Sequence, residues 1–260
     1  MTTNHTSSAA AQAAPNLESS IFTYREAANQ NELEQLLRMR YACFTQSEWA
    51  NYALIQRNPH EIDLDFFDLR ATHVGVFINE NGKEIPIGYA RFIGQNATKH
   101  SLWVNNILAK FPQLRLKKNN ATYPFVEKFG QKHQSNIQDF FQKNEPYQTV
   151  ELSRLCVAAP YQSATLCQFL ITSNMAYTVG RNRKTNLVFI VKEKMKKIIT
   201  RNGAQPIEGL STQFFDLNLN TYYFNQSVMQ PETQTQLNEI AHLFTKNNCI
   251  RFDKKAYNFF

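Results

Sequence analysis

Glu151-Leu152-Ser153-Arg154 lies inside the apolar run Val150 to Ala158 and sets a carboxylate, a hydroxyl and a guanidinium among residues that should be buried. Side chains alternate along a strand, so Glu151 and Ser153 are expected on one face and Arg154 on the other. A carboxylate in such a strand is costly unless something pairs with it or uses it. A second acidic segment, Asp63-Leu64-Asp65-Phe66-Phe67-Asp68, stands far upstream. Together they suggest a catalytic base on a rigid sheet. The competing reading of Glu151 is a structural glutamate paired with Arg91 or Arg40. Ser153 reads as an orienting residue, because neither a histidine nor a G-x-S-x-G elbow accompanies it as a nucleophile would require.

The elements that must carry these residues follow from periodicity. Ile21 to Arg25 reads as a short strand. Leu33, Leu36, Leu37, Tyr41 and Phe44 recur at helical spacing, with Asn31 as the N-cap. A second short helix is expected over Ser47 to Arg57, stopping before Pro59, and a loop or short turn over Pro59 to Leu69. His73 to Ile78 and Ile85 to Ile93 form a hairpin through Asn79-Glu80-Asn81-Gly82. Gly94 to Tyr147 reads as a mostly helical insertion, with helical patterns at Trp103 to Phe111 and Phe125 to Phe141. After the Glu151 strand come a helix over Ser163 to Val179, a buried strand over Asn186 to Val191 and a basic helix over Lys192 to Arg201. Asn202-Gly203 caps that helix. Strands over Phe214 to Leu219 and Tyr222 to Val228, then a helix over Glu232 to Phe244, close the chain. The order is that of an α/β chain with a mixed sheet. Three regions are expected: a disordered tail over 1–19, a main domain over 20–230 with the insertion at 95–147, and a helical extension over 231–260.

Composition narrows the class. The chain has 260 residues, 43% hydrophobic, enough for one large domain. No apolar run reaches the roughly 18–20 residues of a membrane span. Met1 to Glu18 lacks the basic start and apolar stretch of a secretory signal. Cys43, Cys156, Cys167 and Cys249 are scattered without a C-x-x-C pair, which points to a reduced, cytoplasmic compartment, and two of them read as small buried hydrophobes. The six histidines form no H-x-x-x-H or H-E-x-x-H, so no metal is expected. Neither G-x-G-x-x-G nor a P-loop is present. The net charge of +7 gathers over Lys110 to Lys143 and over Arg181 to Arg201. A basic face attracts acidic protein, phosphate or anionic lipid, or is simply a solvated helix face. No zinc-finger, helix-turn-helix or RNP pattern supports nucleic acid.

Arg40-x-x-x-Phe44, Trp49, Asp63-x-Asp65-x-x-Asp68, Gly88-Tyr89-Ala90-Arg91 and Glu151-x-Ser153-Arg154 occur in an order that resembles acyl-homoserine-lactone synthases and the related N-acyl amino acid synthases. The resemblance covers about Glu26 to Leu217. It implies the N-acetyltransferase-like (GNAT) acyltransferase fold: a mixed, mostly antiparallel central sheet flanked by helices, here with a helical insertion before the central strand. It implies acyl transfer from a thioester to an α-amine, with Glu151 as base and backbone N–H groups around Leu155, Cys156 and Val157 holding the oxyanion. Arg40, Phe44, Trp49, Asp65, Asp68, Arg91 and Arg154 would shape the acceptor pocket. Pantetheine would lie where this strand and the next splay apart, as an added strand would. Trp49 stands five residues after Phe44 instead of six, and the segment before Glu151 is long for a lactone synthase, which favours the N-acyl amino acid synthase branch.

The donor implied is an acyl carrier protein, with acyl-coenzyme A second, since the loop Ala159 to Ala164 has no glycine to cradle a pyrophosphate. Arg181, Arg183, Lys184, Lys192, Lys196 and Lys197 would dock this acidic partner. No tightly bound cofactor is implied. Peripheral membrane contact during product release is compatible with the resemblance, and the oligomeric state is left open. Two alternatives accompany this reading: a lactone-forming synthase using S-adenosylmethionine, and an inactive acyltransferase-like module that binds an acidic partner.

Overall fold

The structure is a computed structural model that describes residues 21–47, 57–181, 185–201, 203–214, 216–226 and 229–252. Eight strands form one sheet: β1 (Phe22–Glu26), β2 (Ala71–Glu80), β3 (Lys83–Ile93), β4 (Thr149–Val157), β5 (Asn186–Lys192), β6 (Gln205–Phe214), β7 (Leu217–Phe224) and β8 (Ile250–Phe252). Their spatial order is β6-β7-β5-β4-β3-β2-β1-β8. The only parallel pair in it is β4–β5, so the sheet is mixed and mostly antiparallel, as expected. That pair is short: Thr149, Val150 and Glu151 face Asn186, Leu187 and Val188, and beyond Glu151 the two strands part.

Seven helices cover the sheet: α1 (Gln30–Thr45), α2 (Lys99–Lys110), α3 (Pro124–Phe129), α4 (Gln134–Lys143), α5 (Ala164–Arg181), α6 (Lys196–Arg201) and α7 (Pro231–Asn247). On one face α5 and α7 pack Leu166, Leu170, Leu237 and Ile240 onto Val74, Val76, Leu152 and Val157. On the other face α1 and α2 bury Leu33, Leu36, Val104 and Ile107 against Phe77 and Tyr89. Beside them α3 and α4 set Phe125, Phe129, Ile137 and Phe140 over Ile93, Val188 and Ile207. The insertion is therefore helical, and its phenylalanines divide between two clusters. Phe125, Phe129, Phe140 and Phe141 cluster together, whereas Phe111 packs with α1 and α2.

Local chemistry explains most of these elements. The buried stripe of α1 is Leu33, Leu36, Leu37, Arg40 and Phe44, so the helical period carries Arg40 into the core with its apolar neighbours. Its N-cap is Asn29 and not Asn31; the Asn29 side chain accepts from the Glu32 N–H at 3.0 Å. Gly75 lets α1 approach β2, since a Cβ there would sit 2.7 Å from Leu36 Cδ2. The β2–β3 turn is Asn81-Gly82, with φ of 54° and 81°, the pair of positive values a two-residue primed turn needs. The helix expected over Ser47 to Arg57 falls almost wholly outside the described residues, as does Trp49.

One expectation fails near the end of the sheet. The expected strand Phe214 to Leu219 instead straddles the reversal between β6 and β7. The real strand, Gln205–Phe214, is masked in sequence by Pro206, Gly209 and a run of polar residues. Proline is tolerated because β6 is an edge strand, and Gly209, at φ 71°, falls within the register shift between Pro206 and Ser211. β8 extends the opposite edge by pairing with β1, and α7 contributes to the main core.

Candidate active site

Arg40 reaches the site from α1 and makes the densest contacts there. Its Nη1 donates to Asp68 Oδ1 at 3.0 Å and to Tyr89 Oη at 2.7 Å, and its Nη2 donates to Asp68 Oδ2 at 2.9 Å and to the Asp63 carbonyl at 2.5 Å. Its Nε lies 2.7 Å from Asp63 Oδ2. Arg91, on β3, donates through Nη1 to Asp65 and Asp68, both at 2.7 Å, and through Nη2 to Asp65 at 2.8 Å. Its Nε donates to Ser153 Oγ at 3.0 Å. Arg154 closes the group, 3.4 Å from Asp65 and 3.9 Å from Asp63, with Cζ 5.2 Å from the centre of the Phe44 ring. Three guanidiniums and three carboxylates thus form one network.

The acids are presented by a short turn, one of the two forms expected of this segment. Phe66–Arg70 is a 3₁₀ turn in which Asp65 Oδ1 accepts from the Phe67 N–H and Asp68 Oδ2 from the Asp65 N–H. Burial alone would raise the Asp68 pKa, but Arg40 and Arg91 override it and hold the carboxyl well below its usual range. Burial likewise works against Asp65, and Arg91 lowers it. The two oxygens of Asp68 already accept four hydrogen bonds, about the capacity of a carboxylate. Asp68 and Arg40 are both fully buried and turn their polar atoms to one another and to their neighbours in the network. The network meets solvent at Asp65, 27% exposed, and Arg154, 18% exposed.

The alternation expected for Glu151-Leu152-Ser153-Arg154 breaks at its last residue. Arg154 has φ 57°, and Tyr89 and Arg91 face Cys156 and Ser153, so β4 carries one extra residue there. Such a bulge sends two successive side chains to one face. Ser153 and Arg154 both join the acidic network, while Leu152 and Leu155 turn to the α5 side. A left-handed backbone costs a non-glycine residue about 1–2 kcal/mol, which the Asp65 pair and the Phe44 ring must offset.

Glu151 pairs with neither Arg40 nor Arg91. Its Oε2 accepts from the Phe125 N–H at 2.8 Å, beneath the start of α3. It is 1% exposed, and burial pushes its carboxyl up to about 8, far above an ordinary glutamate. It is thus a mostly protonated acid near neutrality, next to a network whose own carboxylates stay charged.

Tyr89 and His73 belong to the same construction and were not singled out from the sequence. The Tyr89 hydroxyl takes the Arg40 proton donor and faces His73 Nδ1 at 2.8 Å; His73 in turn stands opposite Arg91 in the ladder. Burial lowers His73 to about 3, so it is a neutral ring. The period of two from Arg91 back to Tyr89 was the available signal.

The basic residues do not form one face. Arg181 ends α5, about 27 Å from the Ala164 end at 1.5 Å per residue, and pairs with Glu26 at 2.7 Å. Lys192, Lys196 and Lys197 follow the far end of β5, where β4 also ends, so Arg181 lies apart from them. Arg183 and Lys184 fall outside the described residues. The four cysteines are free and half-buried, and two of them, Cys156 and Cys167, pack against the apolar clusters. Among the described residues no helix is long and apolar enough to cross a membrane.

Comparison with known proteins locates this geometry in a family. The model of the acetyltransferase (GNAT) domain matches residues 39–172, just over half of the 260-residue chain. The chain belongs to the GNAT family. It is an acyltransferase, and the matched span runs from α1 through the acidic turn, the β2–β3 hairpin and β4 into α5. Among solved structures it is similar to FeeM, an N-acyl amino acid synthase from uncultured soil microbes, at 11% identity and a TM-score of 0.51, covering 84% of this chain and 99% of that one. It is also similar to the acyl-homoserine-lactone synthase LasI, at 12% identity and a TM-score of 0.50, covering 85% and 96%. At such identities the likeness is one of GNAT fold. No curated protein matches the sequence.

Proposed function

We propose that this GNAT acyltransferase moves a long-chain acyl group from an acyl carrier protein thioester to the α-amine of an amino acid or related amine, with Glu151 as the general base. The observation that supports it most is positional. β4 leaves β5 directly after Glu151, so a base, a backbone bulge and an unpaired strand edge meet at one point.

The chemistry follows from those parts. Pantetheine lies along the edge opened between β4 and β5. The ionised Glu151 takes a proton from the acceptor ammonium, and the amine attacks the thioester carbonyl. Backbone N–H groups around Leu155, Cys156 and Val157 receive the oxyanion, with Ser153 holding Arg91 and so the register of the bulge. The C–S bond then breaks, the amide forms, and the carrier leaves as a thiol. Asp65 and Arg154, the open end of the network, orient the acceptor. Lys192, Lys196 and Lys197, at the β5 end of the gap, receive the acidic carrier.

The test is thiol release from acyl carrier protein and from acyl-coenzyme A in the presence of a panel of amino acids, with products identified by mass spectrometry. N-acyl amino acids formed faster from the carrier-bound thioester are expected. No thiol release above buffer with any amine refutes acyl transfer. An acyl-homoserine lactone formed only with S-adenosylmethionine reassigns the acceptor.

A further inference from the structure

Arg70 ends the acidic turn and stands one residue before β2. Ala71 pairs with Ile93, and Ile93 with Glu151, so Arg70 leaves the sheet at the row of Glu151, two strands away. At ordinary strand spacing that separation is about 10 Å. The two groups lie within electrostatic reach of each other.

Arg40, Arg91 and Arg154 each meet carboxylates, but among the described residues Arg70 meets none. Its Nη2 donates to the carbonyls of Ala121, at 3.1 Å, and Thr122. Its Nε is buried without a hydrogen-bond partner, and its Cζ lies 5.4 Å from the Phe67 ring centre. A half-buried guanidinium held only by carbonyls is short of an anion. The three-by-three network is already neutral, and a protonated Glu151 adds nothing. Within this cluster, and among the described residues, Arg70 is the guanidinium with no carboxylate in contact.

The same short segment, Ala121 to Phe125, touches both groups. Its carbonyls face Arg70 and its Phe125 N–H faces Glu151. A free amino acid carries those two poles in one molecule, a carboxylate and an amine. We propose that Arg70 is the seat of the acceptor's carboxylate, so that the acceptor is a free α-amino acid bound between Arg70 and Glu151. Its carboxylate takes the place of the Ala121 and Thr122 carbonyls. This inference rests on the acyl-transfer reading above.

The experiment measures KM and kcat for free amino acids and for their methyl esters, in the wild-type protein, Arg70→Gln and Arg70→Lys, by thiol release. Wild type is expected to prefer the free acids. Arg70→Gln should raise KM for the acid by about 10–100-fold, the scale of a charge-assisted hydrogen bond. KM for the ester should stay within about threefold, and Arg70→Lys should recover part of the loss, because it keeps the charge. Esters used as well as acids by wild type overturn the proposal without any variant. Equal losses for acid and ester in Arg70→Gln also overturn it, and would make Arg70 only a clasp for the insertion. A wild-type protein that acylates no amine overturns the acyl-transfer reading itself, and this inference with it.

Discussion

Glu151→Gln separates the two roles the structure gives that residue, because it should act in opposite directions on stability and on turnover. Glutamine is neutral at every pH and keeps a carbonyl oxygen for the Phe125 N–H, so it imitates the protonated acid. In the wild-type protein the carboxyl sits near 8 when folded, against 4.5 for an ordinary glutamate. The folded state therefore binds this proton more tightly than the unfolded state does. The resulting stability is fully present below pH 4.5 and is lost as pH rises through 8. At roughly 1.4 kcal/mol per pH decade, the whole window amounts to about 5 kcal/mol. Relative to Glu151→Gln, wild type should lose about 1 kcal/mol by pH 5, about 3 by pH 7 and nearly 5 by pH 9. Urea melts of both proteins at those three pH values read this directly. Turnover should move the other way, falling by about 10²–10⁴ in the variant. In wild type kcat/KM should rise with pH, with an apparent pKa near 8, since only the ionised tenth or so at pH 7 can accept a proton. A stability difference that does not change with pH would refute the buried neutral acid. Full activity in Glu151→Gln would refute the base.

Asp68→Asn leaves two buried guanidiniums short of an acceptor and should cost about 3–5 kcal/mol in the same melts; a loss under about 1 kcal/mol would contradict the closed network. Gly75→Ala presses a methyl group to 2.7 Å from Leu36 Cδ2 and 2.8 Å from the Phe77 ring, and should cost about 1–3 kcal/mol by thermal or urea unfolding. The double charge reversal Lys196→Glu with Lys197→Glu alters exposed positions after β5 and should raise KM for acyl carrier protein about tenfold. KM for acyl-coenzyme A should change by less than about threefold, and equal changes for both donors would remove these lysines from carrier docking.

What the sequence made legible, and what it hid, divides along a physical line. Helical stripes, apolar runs and the Asn81-Gly82 turn are local, so α1, the hairpin and the buried position of Glu151 could be read directly. Even Arg40 in the core follows from its place on the α1 stripe. The bulge at Arg154 could not be read, because a positive φ at a non-glycine residue is imposed from outside, here by Asp65 and Phe44. β6 was lost because an edge strand with a proline and a positive-φ glycine has no apolar alternation to detect. The partner of Glu151 was also beyond reach. Nothing in a glutamate's neighbours says that its contact will be a backbone N–H 26 residues earlier.

The separation of the network from Glu151 bears on how the site works. Had Glu151 paired with Arg91, one of the two partners in the competing reading of the sequence, its pKa would have fallen and it would be a poor base at neutral pH. Instead four of the five N–H groups of Arg91 donate to Asp65, Asp68 and Ser153 and none to Glu151, so Arg91 acts on the glutamate only through space. Burial under α3 then dominates and lifts the carboxyl into the range where it can exchange protons with an amine. The network thus acts on Glu151 in two directions, Arg91 lowering its carboxyl and Asp65 raising it. Asp65→Asn removes the repulsion that raises Glu151 and leaves Arg91 less neutralised, so it should lower the apparent pKa of the pH profile relative to wild type. A profile unmoved by Asp65→Asn would show that burial alone sets the acid, and that the arginines are scaffolding for the acceptor pocket.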